Sequence, residues 1–316
     1  MKAIGLNAYG GPDVLHLLDL PEPHAGPGEV RLAVRAAAVN PVDAMLRTGL
    51  LAARFPDARP PFVPGMEVGG VVDEVGPQVE ASAVPALGED AVAFVNFEGS
   101  SGGYADFVVV PAASVTRAPR GLSLPEASSF LMNALTARHA LDTLGLASGS
   151  TLWVTGAAGA LGGYLTQLGA RDGLRVIALA SASDEETVRG FGASDFVPRG
   201  PDAVAHVRAL VPQGVDAVAD AAGLGDEVLP AIRDGGQLVA FRVFTGQTER
   251  DIMVHARSVR ERAEDHDAIV ALRELAETDQ LAIRVSEVMP ALDAVEAHRR
   301  LDAGGLRGRI ILSFPV

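Results

Sequence analysis

The residues best suited to chemistry in this chain are a set that brings almost no side chain with it. Gly156-Ala157-Ala158-Gly159-Ala160-Leu161-Gly162-Gly163 follows the apolar run Leu152-Trp153-Val154-Thr155 and leads into a helical pattern at Tyr164-Leu165-Thr166-Gln167-Leu168-Gly169-Ala170. Strand, glycine turn and helix in that order let backbone N–H groups approach a pyrophosphate and aim a helix N-terminus at its charge. The strict G-x-G-x-x-G pattern is bent, because Ala157 stands at the first glycine position while Gly159 and Gly162 keep the other two. A glycine turn alone is weak, and its plainer reading is structural; the flanking strand and helix favour phosphate binding. Gly156, Ala157, Gly159, Ala160, Leu161 and Gly162 are therefore the expected dinucleotide contacts.

The next strand, Arg175-Val176-Ile177-Ala178-Leu179-Ala180, should end beside the adenosine ribose. An NAD site usually places Asp or Glu there to accept from the 2′-hydroxyl. Here the strand runs into Ser181-Ala182-Ser183, a hydroxyl pair that tolerates a 2′-phosphate and can donate to it. Arg199, after the following strand, would add positive charge; its plainer reading is an ordinary surface arginine. Asp184 argues the other way, since a slightly later turn would make it the ribose ligand. NADPH is expected over NADH, held through Ser181, Ser183 and Arg199.

Composition narrows the field. The chain has 316 residues, 48% of them hydrophobic, which suits two domains with real cores. No run approaches the roughly 18 apolar residues of a membrane span, and the N-terminus carries no secretory signal pattern. The net charge of −14 repels nucleic acid and anionic membrane faces, so neither is an expected partner. There is no cysteine, which excludes disulfides, thiolate nucleophiles and Cys-ligated zinc and fits a reducing cytoplasm, the expected location. Lys2 is the only lysine, so there is no P-loop lysine and no Schiff base elsewhere in the chain. The histidines show no metal-ligand spacing, and no metal is expected.

The elements that must position these residues change character along the chain. Up to about residue 120, short strands with Gly/Pro turns suggest a compact β-barrel-like unit: 29–36, 68–76, 91–95 and 104–110. Gly69 and Gly70 suggest a bulge or close backbone packing. Ser123-Leu124-Pro125-Glu126 reads as a capping box opening a helix that runs on toward Leu144. Strands at 151–155, 175–180, 215–219 and 236–241 then alternate with helices, as in a parallel doubly wound sheet. Arg257–Thr278 and Ala291–Ala303 read as helices, 283–288 as a strand, and 309–314 as a closing strand expected to rejoin the N-terminal β unit.

Taken together, Val39-Asn40-Pro41-Val42-Asp43, Pro64-Gly65-Met66-Glu67-Val68-Gly69-Gly70, Gly102-Gly103-Tyr104-Ala105, Leu135-Thr136-Ala137, the glycine turn, Val215-Asp216-Ala217-Val218-Ala219-Asp220 and Gly308-Arg309-Ile310-Ile311-Leu312 resemble the medium-chain dehydrogenase/reductase superfamily, in its zinc-free quinone oxidoreductase branch. The resemblance spans essentially the whole chain. It implies an α/β fold: a GroES-like β-barrel catalytic domain of residues 1–122 and 282–316, a Rossmann doubly wound parallel sheet over 123–281, and an active site in the cleft between them. Zinc-dependent relatives have Cys where this chain has Asn40 and His-Glu where it has Met66-Glu67, so no catalytic zinc is expected.

The resemblance places Asn40 and Asp43 on the substrate side. Asn40 would donate its amide N–H to the acceptor oxygen or to the nicotinamide carboxamide; its plainer role is a turn residue before Pro41. Asp43 would orient a water or pass a proton, or else serve as a helix N-cap before Ala44. Thr136 would sit under the nicotinamide, or bond back to a helix carbonyl. Gly223 would allow close cofactor approach, and backbone groups of Phe241 to Val243 would bind the carboxamide. The tyrosine that many relatives carry near 45–52 is missing, so no side chain is assigned as general acid. Leu50, Leu51, Phe55, Phe62 and Phe97 offer either an apolar acceptor pocket or core.

A site without a Lewis acid suits hydride addition to a quinone or an α,β-unsaturated carbonyl, where charge spreads onto an oxygen. A small carbonyl or quinone substrate is thus expected. The alternatives are an enoyl-thioester reductase, for which Arg47, Arg54 and Arg59 would form a basic patch, and a non-catalytic NADPH-binding protein. The resemblance also implies a homodimer through the cofactor-domain sheet edge, which the apolar strand 236–241 suits.

Overall fold

The computed structural model describes residues 1–80, 84–97 and 101–315. They divide into two compact units, Met1–Met132 with Arg262–Val316, and Asn133–Glu261. In chain order the first unit contains β1 (Lys2–Gly5), β2 (His16–Asp19), β3 (Glu29–Val39), α1 (Pro41–Thr48), β4 (Glu67–Val75), β5 (Asp90–Phe94), β6 (Phe107–Pro111), β7 (Val115–Arg117) and α2 (Leu124–Ala127). Helix α3 (Leu131–Leu144) leads into the second unit: β8 (Thr151–Thr155), α4 (Ala160–Arg171), β9 (Arg175–Ala180), α5 (Glu185–Gly190), β10 (Asp195–Pro198), α6 (Ala203–Leu210), β11 (Val215–Asp220), β12 (Ile232–Ala240) and β13 (Met253–His255). The chain then returns through α7 (His266–Glu277), β14 (Val285–Pro290), α8 (Ala294–Ala303) and β15 (Arg309–Ser313).

Strand β3 organises the first unit. Its β4-facing edge is covered along most of its length, while the other edge is shared by β6 over Glu29–Ala33 and β15 over Ala36–Val39. The register shifts between Val34 and Ala36, opposite Gly70 and Gly69. A Cβ on Gly70 would lie 2.3 Å from the Ala33 carbonyl oxygen, so the bulge needs glycine there. The closing strand β15 joins β3 antiparallel and β14 parallel, as expected of a chain end that rejoins the N-terminal β unit.

The second unit is a parallel sheet in the order β10-β9-β8-β11-β12-β13. Numbered within the unit this is the doubly wound 3-2-1-4-5-6 order, whose direction of winding reverses between β8 and β11; ligands bind outside the carboxyl ends of the strands at that point. Its core packs Trp153, Ile177, Val207, Val218, Ile232 and Leu238, all fully buried. Each such aliphatic side chain contributes about 1.5–3 kcal/mol on burial.

Several sequence expectations need correction. The helix opened by Ser123 does not run through to Leu144. The capping box forms, with Ser123 N donating to Glu126 Oε2 at 2.9 Å, but α2 ends at Ala127. Ser128 and Ser129 turn their hydroxyls back onto the Pro125 and Glu126 carbonyls, and a new helix starts at Leu131. The stretch 257–278 is helical in two pieces, a 3-10 turn Val259–Arg262 and α7, which begins after the N-cap Asp265. Strand β12 begins at Ile232 and is covered by β13, so the segment 236–241 does not form the sheet edge.

Candidate active site

In the second unit, β8 delivers the chain to Gly156, whose φ of +61° is left-handed. Gly159 is the N-cap of α4 and brings no capping side chain, so the first amides of the helix, at Ala160 and Leu161, meet no acceptor from their own cap. A Cβ on Gly162 would lie 2.1 Å from the Gly156 carbonyl oxygen, which makes this position glycine-only. Ala157 is buried, and its N–H is spent on the Leu179 carbonyl of β9. Its methyl therefore faces protein, which explains why this glycine position tolerates alanine.

The far end of β9 gathers the residues read as 2′-phosphate contacts. The register pairs Pro198 of β10 with Ala180, and Arg199 N donates to the Ala180 carbonyl at 2.7 Å, which sets Arg199 next to Ser181. Ser181 opens the 3-10 turn Ala182–Asp184, and Ser183 is exposed on it. Asp184 is buried, with its N–H on the Ser181 carbonyl. Arg199 is exposed, and among the described residues its guanidinium makes no hydrogen bond or ion pair, whereas Arg175, Arg189, Arg233 and Arg250 each pair with a carboxylate.

Past β11, one residue that sequence reasoning passed over does the positioning. Asp220 is buried at the strand end, where it receives Thr155 Oγ1 at 2.6 Å and the backbone N–H groups of Gly223, Leu224 and Gly225 at 3.1, 3.0 and 2.9 Å. Thr155 Oγ1 in turn accepts from Ala222 N at 2.9 Å. The end of β8 and the loop carrying Gly223 are thus tied together. Gly223 has φ +74°, and a Cβ there would lie 2.7 Å from Arg242 Cδ. Phe241 and Val243 flank that arginine just past β12, Phe241 half-buried and Val243 89% exposed. Thr136 is half-buried on α3.

In the first unit, Asn40 and Asp43 are both fully buried. Helix α1 starts at Pro41 rather than Ala44, so Asn40 is the N-cap and Asp43 the third helical residue. Asp43 accepts from Asn40 N at 2.7 Å, from Gly65 N at 2.8 Å and from the Tyr104 hydroxyl at 3.3 Å. Burial pushes its pKa up to about 6, against the pull of those donors and of Arg309. Glu67 accepts from Asn40 Nδ2 and from Met132 N, each at 2.9 Å, and burial raises it to about 7. The Tyr104 hydroxyl also lies 3.5 Å from His298 Nε2, and burial lowers His298 to about 4. Tyr104, Glu67 and His298 were missed as site residues. Glu67 and Tyr104 carried a signal, an acid and a tyrosine set in apolar or glycine-rich surroundings, whereas His298, in the polar run Glu296-Ala297-His298-Arg299-Arg300, carried none.

Two further sequence readings separate in space. Arg47 is buried and paired with Asp302, while Arg54 and Arg59 are exposed and Arg59 bonds the Pro56 and Ala58 carbonyls, so the three do not share one surface. Of the apolar set, Phe62 stacks on Tyr9 with ring centroids 4.9 Å apart, Phe55 and Phe97 meet at 6.3 Å, and Leu50 is 73% exposed. Phe62 and Phe97 belong to the core rather than to one shared pocket.

Comparison with known proteins agrees with this fold. Residues 26–120 match the alcohol dehydrogenase GroES-like domain, and residues 191–312 match the zinc-binding dehydrogenase family. The chain belongs to the medium-chain dehydrogenase/reductase superfamily. Curated relatives include a quinone oxidoreductase of Pseudomonas aeruginosa, 30% identical over 65% of this chain and 60% of that one. Another is the chloroplastic NADPH-dependent alkenal/one oxidoreductase of Arabidopsis thaliana, 32% identical over 76% of this chain and 62% of that one. For the human synaptic vesicle membrane protein VAT-1 homolog-like, the match spans 38% of the relative's length. Among solved structures, an NAD-dependent alcohol dehydrogenase superposes with TM-score 0.86 at 29% identity, covering 100% of both chains. A mycobacterial protein solved with NADPH superposes with TM-score 0.85 at 28% identity, covering 99% of this chain and 100% of that one.

The zinc that one matching family name implies does not fit this medium-chain dehydrogenase/reductase. Asn40 offers an amide, Met66 a buried thioether, and Glu67 a carboxylate whose oxygens already receive two N–H groups. Zinc takes thiolate, imidazole and free carboxylate, and among the described residues no cluster of three such groups is placed to hold a metal. No helix among them is long and apolar enough to cross a membrane.

Proposed function

We propose that this chain is an oxidoreductase that passes a hydride from NADPH to a quinone or an α,β-unsaturated carbonyl, with no zinc. One observation carries the reading: a turn held open by Gly156, Gly159 and Gly162 at the head of α4, on the sheet where winding reverses. Such a turn recognises a pyrophosphate through main chain alone. Gly156, Ala157, Gly159, Ala160, Leu161 and Gly162 line it. Ser181, Ser183 and the unpaired Arg199 take the 2′-phosphate, which favours NADPH over NADH. Gly223, Phe241 and Val243 serve the nicotinamide end.

When bound, NADPH supplies the hydride. The chain's own part is to orient and to stabilise. Asn40 serves the acceptor oxygen or the carboxamide, Thr136 holds the ring, and Asp43 fixes Asn40 by accepting its backbone N–H. Charge that develops on the acceptor is met by hydrogen bonds, and the proton comes from water or from the buried carboxyl set. The substrate is a small carbonyl or quinone compound. Burial of Arg47 in its pair with Asp302 takes one of three arginines from the basic surface that a carrier-bound thioester would use, and Arg54 and Arg59 stay exposed. A cytoplasmic homodimer is part of this reading, with β13 rather than β12 as the sheet edge available for pairing.

The test is NADPH oxidation with small quinones, enones and an enoyl-CoA. Turnover of quinones or enones above that of the thioester is expected. Saturable NADPH binding with no turnover of any acceptor would leave a nucleotide-binding protein without catalysis.

A further inference from the structure

We propose that Glu67 is a positioning residue: its carboxylate clamps the Asn40 carboxamide and the first turn of α3 into one arrangement. Glu67 opens β4 and is 1% exposed. Its Oε1 receives Asn40 Nδ2 and its Oε2 receives Met132 N. Met132 is the second residue of α3, so its N–H is one of the helix's unsatisfied donors, at the end where partial positive charge favours an anion. Asn40 is held from its other side too, because its backbone N–H is bound by Asp43. A carboxylate only accepts hydrogen bonds. The Asn40 amide must therefore present its NH₂ to Glu67 and turn Oδ1 away.

This deepens the role proposed for Asn40 and rests on that reading. One of the two amide N–H groups expected to serve the acceptor is committed to Glu67, and what the site receives is an amide of fixed orientation. Protonation of Glu67 removes the constraint, since a neutral carboxyl can donate to Oδ1 and let the amide turn over. The groups that bear on this titration are Asn40 and Asp43 from α1 and its cap, Met132 N from α3, Arg309 from β15 and Tyr104. Donation by Asn40 and Met132 and the charge of Arg309 favour the carboxylate, while Asp43 opposes it. Burial holds the balance near neutrality, at about 7.

Two readouts test the clamp, and the first does not depend on turnover. Infrared titration of the whole protein should show protonated-carboxyl absorption lost in two steps as pH rises, one near 6 from Asp43 and one near 7 from Glu67, and Glu67→Gln should lack the second step. In Asn40→Ala the Glu67 step should move to higher pH, because a donor to its ionised form is gone. An unchanged titration in Asn40→Ala overturns the clamp, whether or not the protein reduces any acceptor. The second readout is steady-state kinetics with NADPH and a quinone. Glu67→Gln should keep the KM for NADPH within about twofold, lower kcat at least tenfold above neutrality, and flatten the pH profile of kcat. Unchanged kcat with an unchanged pH profile overturns the positioning role. If the wild type shows the coupled infrared titration but reduces nothing, the proposed function falls while the Glu67–Asn40 clamp stands.

Discussion

At the scale of single residues the candidate site is built on close approach and on buried charge. Gly162 has no room for a methyl: its Cβ would meet the Gly156 oxygen at 2.1 Å. Gly162→Ala should therefore weaken NADPH binding by at least tenfold and lower stability by about 1–3 kcal/mol, readable by titration and by thermal melting. The buried acids predict a pH dependence of known sign. Asp43 and Glu67 have folded pKa values of about 6 and about 7, above their ordinary values. The folded chain thus holds protons that the unfolded chain releases near pH ~4, and these groups cost stability progressively as pH rises from there to neutrality. His298, lowered to about 4, acts oppositely: stability is lost as pH falls from its ordinary value through that range. Glu67→Gln removes one share, so the wild-type stability minus that of the variant should fall by about 2 kcal/mol between pH ~5 and ~8. A difference that stays constant with pH contradicts the assignment.

Elements were legible where one periodicity ruled and obscure where local chemistry intervened. β3, β8, β9 and β15 stand close to where alternation and apolar runs put them, because each carries enough β-branched and apolar residues to decide its own state. β13, three residues long, left no readable pattern and exists because β12 offers it an edge. The break between α2 and α3 was invisible for a different reason. Ser128 and Ser129 compete for the carbonyls that a continuous helix would use, and Glu67, remote in sequence, receives Met132 N at the restart. The capping box was readable, and it gives a prediction at this scale. Ser123→Ala should cost about 1 kcal/mol in chemical denaturation with the denaturant slope unchanged. Restoration of that stability by Ser123→Asp would confirm that the cap, and not the hydroxyl's packing, is responsible.

For the molecule as a whole, the glycine turn and the strand end beside it at Ser181 were legible, while the buried acid set around Asn40 was not. Sequence motifs name Asn40, Glu67 and Tyr104 but cannot show that α1, β4 and the loop before β6 converge. On the proposed reading, an acidic protein of net charge −14 also has to bind a highly anionic cofactor. An exposed arginine with no carboxylate partner counters that repulsion locally, and Arg199 is such a group. Arg199→Ala should therefore weaken NADPH by about tenfold or more while leaving NADH nearly unchanged, with the NADPH effect shrinking as salt is raised. Equal losses for the two nucleotides would remove Arg199 from the 2′-phosphate.

The most direct measurement is calorimetric titration of the wild-type chain with NADPH and, separately, NADH. The account predicts saturable binding at one site per chain, tighter for NADPH, and lost or strongly weakened in Gly162→Ala. Heat signals that never saturate for either nucleotide, with the folded state verified by circular dichroism, would contradict it.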